Sequence, residues 1–126
     1  MPIRNNNGRK GRKWKTVMPE KEKTKNIFFK VPKVLFTDDA YRFISTDAKM
    51  LYALLLDRKQ LSKKNGLQNR IGDPFVYMTI AETCVKLNCG HEKACRLFKE
   101  LEFHGLVFRE GQGFGKAVKI YPVDLF

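Results

Sequence analysis

At 126 residues with 43% hydrophobic side chains, the chain supports one ordinary globular core. Its longest apolar run, Met50 to Leu56, has seven residues, well short of the ~18 that a membrane span requires, and the first residues lack the hydrophobic core of an export signal. The formal charge is +12, of which residues 1–26 supply +7 from nine Lys/Arg and two acids; this surplus implies a polyanionic partner, and without a basic amphipathic helix showing an exposed aromatic face, nucleic acid fits better than an anionic membrane.

Residues 1–26 have few apolar side chains and no period, which predicts a flexible basic arm. Arg4, Arg9, Lys10, Arg12, Lys13 and Lys15 cluster around Trp14. Such an arm tracks phosphates or enters the minor groove of DNA; the plainer reading is a solubilising tail. From residue 27 to 126 the pattern is that of a folded domain.

Ile27-Phe28-Phe29-Lys30-Val31 is strand-like, and Pro32 ends it or opens a helical turn through Lys33-Val34-Leu35-Phe36. Ser45 is then the N-cap of a helix predicted from Thr46 to about Leu61, with Ala48, Leu51, Tyr52, Leu55 and the stem of Lys59 facing the core. Met50, Ala53, Leu54 and Leu56 add a second apolar stripe, and a surface helix of a small domain needs only one. Either the N-terminal strand and turn cover it, or it is a homodimer contact through Met50, Leu54 and Asp57. Residues 62–74 are polar, with two glycines, and read as a long loop or irregular hairpin. Phe75-Val76-Tyr77 is a short strand.

The stretch from Thr79 to Tyr121 carries most of the information. Thr79 is a helix N-cap, with Ile80, Thr83, Cys84 and Leu87 on one face. Asn88-Cys89-Gly90 makes a tight turn. A second helix runs to about His104 with Ala94, Leu97, Phe98 and Leu101 on its apolar face, and Gly105 stops it. Leu106-Val107-Phe108 and Val118-Lys119-Ile120-Tyr121 flank a loop with Gly111, Gly113 and Gly115, a hairpin with a mobile tip. Two helices at a tight turn followed by a Gly-rich hairpin predict an α+β winged helix-turn-helix, the arrangement that lays its second helix in a DNA major groove.

Recognition helices present N-terminal residues to base edges. That singles out His91, Glu92, Lys93 and Arg96. Arg96 is suited to a bidentate guanine contact and Lys93 to guanine or phosphate, while Glu92 can accept from cytosine or orient a cation. The alternative is a solvated face with a Glu92–Arg96 pair worth about 0.3 kcal/mol. Arg109, Gln112, Lys116 and Lys119 on the wing are expected at phosphates, and Thr79, Thr83 and Lys86 at the backbone beside the first helix.

Other chemistry is poorly supported. Gly113-Phe114-Gly115-Lys116 lacks the remainder of a phosphate loop, since Ala117 and a strand follow where Ser/Thr and a helix should stand. Cys84, Cys89, His91 and Cys95 match no common zinc spacing and read as small packing residues, so no metal or cofactor is expected. Three cysteines, an odd number, fit reduced thiols in the cytoplasm. No Ser/His/Asp set, paired carboxylates or acid cluster points to an enzyme.

The stretch from about Phe28 to Tyr121 resembles the N-terminal domain of the RepA_N plasmid replication initiators of Gram-positive bacteria. The resemblance rests on Ala48-Lys49-Met50-Leu51-Tyr52-Ala53-Leu54-Leu55-Leu56-Asp57-Arg58, on Lys99-Glu100-Leu101-Glu102-Phe103-His104-Gly105-Leu106-Val107-Phe108-Arg109, and on the wing-tip residues Gly111, Gly113, Gly115 and Lys116. It implies a winged helix similar to that of the primosomal protein DnaD, binding to repeated duplex sites (iterons) at a plasmid origin, dimers that can pair origins, and a bacterial, plasmid-associated cytoplasmic protein. In the family a separate C-terminal domain is thought to recruit host replication proteins. It is expected to be missing here, as the sequence stops at Phe126. Gly90 stands where many relatives have a Ser-type cap. A winged-helix transcription regulator and a protein-interaction module of the replication machinery are the competing readings.

Overall fold

The computed structural model describes residues 28–125; the basic arm, with Arg9, Arg12 and Lys13, lies outside them. Among the described residues the order is α1 Val34–Thr37, α2 Thr46–Lys64, α3 Ile80–Leu87, α4 His91–Phe103, β1 Val107–Glu110 and β2 Lys119–Pro122. This is the mixed architecture predicted, with helices preceding a small antiparallel hairpin.

α2 is the hub of the core. Ser45 opens it in extended backbone, its Oγ accepting from the Ala48 amide at 3.2 Å, and Asp47 complements the N-terminal dipole. The helix runs three residues beyond the predicted end at Leu61. Ser62 is buried rather than looped out, Lys63 and Lys64 suit the C-terminal dipole, and the chain turns only at Gly66 with φ +72°.

The second apolar stripe of α2 is largely covered within the chain. Ala53, Leu54 and Leu56 are all buried, Leu54 at 9% exposure, whereas Met50 and Asp57 stay exposed. Leu54 and Leu56 join the same cluster as Leu35, Ile44, Leu97, Phe98 and Leu101. Leu54 is therefore a core residue and not a surface dimer contact.

Two lysines on α2 are buried as well. Lys49 donates to the Arg42 carbonyl at 3.4 Å and lies over the Phe36 ring. Lys59 donates to the Pro122 carbonyl at 2.7 Å and pairs with Asp124 at 3.2 Å. Their stems pack as apolar groups while each ammonium finds partners at the edge of the core. The buried Tyr52 hydroxyl donates to the Val123 carbonyl, and burial pushes its pKa up. These links tie β2 and the following residues to α2.

The predicted strand at 27–31 does not form in its described part, which runs without regular structure to Pro32. Aromatic and β-branched composition favours a strand only where an edge offers pairing. Phe28 and Phe29 instead remain exposed. The predicted strand Phe75-Val76-Tyr77 shrinks to a single bridge, Val76 to Ile120, with reciprocal bonds of 2.8 and 2.9 Å. The neighbouring Tyr77 carbonyl is taken by Arg58 rather than by a strand.

β1 and β2 pair antiparallel with Val107 opposite Pro122 and Glu110 opposite Lys119. Val107, Ile120 and Pro122 point inward, and Leu106 beside them is fully buried. The hairpin is thereby fastened to the core at its base and free at its tip. No helix among the described residues is long and apolar enough to cross a membrane.

Ser45→Ala should lower stability by about 1 kcal/mol, since it removes an N-cap and also a hydrogen bond to Glu100 at 2.9 Å. A urea titration followed by circular dichroism reads this as a lower midpoint at unchanged slope.

Candidate nucleic-acid interface

The helix-turn-helix is set by local caps and one long-range anchor. Thr79 Oγ1 accepts from the Glu82 amide at 2.9 Å and begins α3. Arg58 reaches from α2 to donate to the Tyr77 carbonyl at 2.8 Å and to the Glu82 carboxylate at 2.5 Å. That hydrogen bond holds the Glu82 carboxyl below the usual carboxylate range. α3 ends at Asn88, whose left-handed backbone (φ +53°) is one that a short polar side chain tolerates. The Cys84 carbonyl accepts from the amides of both Asn88 and Cys89, closing the turn.

α4 follows from Gly90, which caps with backbone geometry but supplies no side-chain acceptor. Its buried face is the predicted one, Ala94, Leu97, Phe98 and Leu101. The opposite side exposes His91, Glu92, Arg96 and Lys99. The Glu92–Arg96 pair is not formed, and Arg96 has no ion-pair partner among the described residues.

Two polar side chains of α4 are turned toward the start of α2 instead. Lys93 Nζ lies 2.5 Å from Asp47 Oδ2. Glu100 accepts from the Ser45 amide at 2.6 Å and from its hydroxyl at 2.9 Å. The helix is thus fixed in roll by one pair near its N-terminus and another a turn or more later. Lys93 is half-buried and already partnered, which distinguishes it from Arg96.

The flanking residues divide in the same way. Lys86 is exposed in the last turn of α3, and Lys116 is exposed on the wing. Thr79 is exposed, with its hydroxyl oxygen engaged in the cap. Thr83 is fully buried and donates to the Thr79 carbonyl at 2.9 Å, so the expectation that it meets a nucleic-acid backbone is overturned by the internal face of α3.

Arg109 is likewise structural. It pairs with Glu102 at 2.8 Å and covers the Phe98 ring, pinning β1 to α4 rather than reaching for phosphate. Gln112 donates to the Ala117 carbonyl at 2.8 Å and braces the wing loop. Lys119 is half-buried with its ammonium over Phe75.

The three cysteines are free and half-buried, Cys95 Sγ standing 3.7 Å from His91 Nδ1. Among the described residues no group of three or more His, Cys, Asp or Glu is placed to hold a metal ion. Burial pushes the Cys84 thiol up, which favours its protonated form.

Sequence periodicity missed Asp47, Arg58, Glu82 and Ser45 as partners of the motif. Arg58 was within reach, because it ends the helical block that carries the family resemblance.

Comparisons with known proteins agree with this geometry. The family model for the replication initiator protein A (RepA) N-terminus matches residues 27–126. A "41 kDa protein" of Lactobacillus helveticus is 32% identical over 101 residues, and the match covers 79% of this chain but 29% of that protein. Among solved structures, "N-Terminal domain of DNA binding protein" is 32% identical with a TM-score of 0.72, covering 85% of this chain and 82% of the other. "Structure of MDR initiator" is 36% identical with a TM-score of 0.69, covering 85% and 84%. "Structure of Rep-DNA complex" is 32% identical with a TM-score of 0.72, covering 85% and 82%. With a family match over residues 27–126 laid over a winged helix whose second helix shows its polar side outward, the chain belongs to the family of replication initiator protein A (RepA) N-termini.

Proposed function

We propose that this domain binds repeated duplex sites in a plasmid origin and so takes part in initiating plasmid replication in the bacterial cytoplasm, as a DNA-binding and not a catalytic unit. One observation carries the reading. The N-terminal half of α4 leaves His91, Glu92 and Arg96 exposed while the other face is sealed in the core. Side chains so displayed meet base edges when the helix enters a major groove. Lys86 and Lys116 flank that face and suit phosphate contacts, which position without reading sequence. The relative described as a Rep–DNA complex supports the same reading.

The test is a titration of labelled duplex carrying the plasmid's own origin repeats against a scrambled duplex, at low and moderate salt. Binding that prefers the repeats and survives added salt is expected. Equal, salt-sensitive binding to both duplexes would leave only a phosphate anchor.

Asp47→Asn should tighten duplex binding several-fold and steepen its logarithmic salt dependence by about one unit, because Lys93 would be released to a phosphate. An unchanged salt slope, measured by fluorescence anisotropy across a salt series, would show that Lys93 stays off the DNA.

The homodimer reading is narrowed by the burial of Leu54. Met50 and Asp57 remain on the surface of α2, with exposed Phe28 and Leu61 among the described residues. Met50→Glu should give a folded monomer by sedimentation if this face joins two copies. A dimer that persists would place the contact elsewhere.

A further inference from the structure

The wing tip carries a feature that phosphate binding does not use. Phe114 is fully exposed, at 107% of its reference area. Burial of a phenyl ring is among the larger apolar gains available to a side chain, so its display at an apex points to a partner.

The display is fixed by the backbone. Gly113 to Lys116 is a tight turn closed by the Lys116 amide donating to the Gly113 carbonyl at 3.2 Å. Gly115, at φ +78°, supplies the positive φ that the third residue of a type II turn requires. Phe114 is the second residue of that turn, the one that projects from the bend. Below it the Gln112 amide donates to the Ala117 carbonyl at 2.8 Å, holding the two arms of the loop together. Further down, Arg109 bonds Glu102 and covers Phe98, so the base of the hairpin is pinned to α4.

The surroundings state the chemistry of the partner. Residues 111–119 contain Lys116 and Lys119 and no acid. Glu110, at the foot of the loop, accepts from the Tyr121 hydroxyl at 3.2 Å. Lys119 lies over Phe75 at the base of the hairpin, so the exposed cation of the turn is Lys116. An apolar ring beside a cation and away from acids suits a polyanion whose interior is apolar, which describes the stacked bases behind a phosphate backbone. A single ring with one exposed lysine is a weak membrane anchor.

We propose that Phe114 is an apolar wedge that enters a base-pair step in the minor groove beside the major-groove site of α4, partly unstacking it. This rests on the DNA-binding reading above. Wedges of this kind trade stacking for a bent duplex that wraps more protein. The inference gives the wing a shape-reading role, since flexible pyrimidine–purine steps open most easily.

The test uses origin-repeat duplexes with 2-aminopurine placed singly at successive positions flanking the recognition sequence. Wild type, Phe114→Ala and Phe114→Leu are compared for affinity and 2-aminopurine fluorescence. Wild type should raise the fluorescence at one or two adjacent positions. Phe114→Ala should abolish that rise and bind about 10- to 100-fold more weakly, the equivalent of withdrawing one buried phenyl side chain. Phe114→Leu should retain most of both. The substitution is on an exposed turn, and an unchanged circular dichroism spectrum and melting temperature exclude misfolding as the cause.

Equal affinity of Phe114→Ala and wild type would overturn the wedge, as would a flat fluorescence profile for wild type bound to the repeats. Phe114-dependent binding to phosphatidylglycerol vesicles without any 2-aminopurine response would overturn it in favour of a membrane contact. Failure of wild type to bind the repeats at all would instead sink the DNA-binding function, and the wedge with it.

Discussion

Leu101→Ala is expected to destabilise the domain by about 3 kcal/mol, within the range for a leucine removed from a closed core. Leu101 is fully buried on α4, in the cluster that includes Leu51, Leu55, Phe98 and Leu106. Its carbonyl also accepts from the Leu106 amide at 3.0 Å, so it sits where α4 hands over to the wing. Collapse around the lost side chain is restricted from both sides, by α2 and by the base of the hairpin. A loss of this size lowers the melting temperature of a domain of about 100 residues by roughly 10–20 °C. Calorimetry or thermal circular dichroism measures it directly. A shift of only a few degrees would mean that α4 repacks freely, and the rigid presentation of Arg96 would then need another origin. Duplex affinity at a temperature where the variant remains folded should fall far less than stability does, because the exposed residues are untouched.

The face of α4 was legible in the sequence because one long amphipathic period leaves little choice. Ala94, Leu97, Phe98 and Leu101 can share a side only in a helix, and Gly105, at φ +75°, ends it where glycine alone is unstrained. The caps at Ser45 and Thr79 were legible for a similar local reason. What periodicity cannot give is the occupant of the other side of a contact. α2 looked over-supplied with apolar residues, yet Leu54 and Leu56 are covered by the chain itself. That depends on packing partners from α1, α4 and the hairpin, which are distant in sequence.

The destinations of long cationic side chains escape the sequence for the same reason. Arg109 and Lys93 are as basic as Arg96 in the sequence. Their destinations were decided by Glu102 seven residues before one and Asp47 far before the other. Gln112, expected at phosphate, is exposed and also braces the wing loop through the Ala117 carbonyl. The candidate site is therefore narrower than its motif suggested. Exposed groups without an ion-pair partner among the described residues remain at Arg96 and Lys116, with His91 exposed beside Cys95, while several neighbours hold the scaffold that aims them.

Arg96 is where this narrowing has its largest functional consequence. The residue is exposed on the outer side of α4, and its guanidinium has no ion-pair partner among the described residues. No acid among the described residues competes with a ligand for it, unlike Lys93, which must leave Asp47 first. A guanidinium matches the two acceptors of guanine in the major groove, and an ammonium does not match them as a fork. Arg96→Ala should weaken binding to the origin repeats by about 1–3 kcal/mol, roughly 5- to 150-fold, and flatten preference at one base-pair position. Arg96→Lys should restore nonspecific affinity more than it restores that preference. Lys116→Ala supplies the contrast, with weaker binding on every duplex and a salt slope reduced by about one. A panel of repeats substituted one base pair at a time, titrated against all three variants, separates the roles. If Arg96→Ala and wild type give parallel profiles across the panel, Arg96 does not read a base. If affinity for every duplex is also unchanged, the exposed face of α4 serves a protein partner rather than DNA.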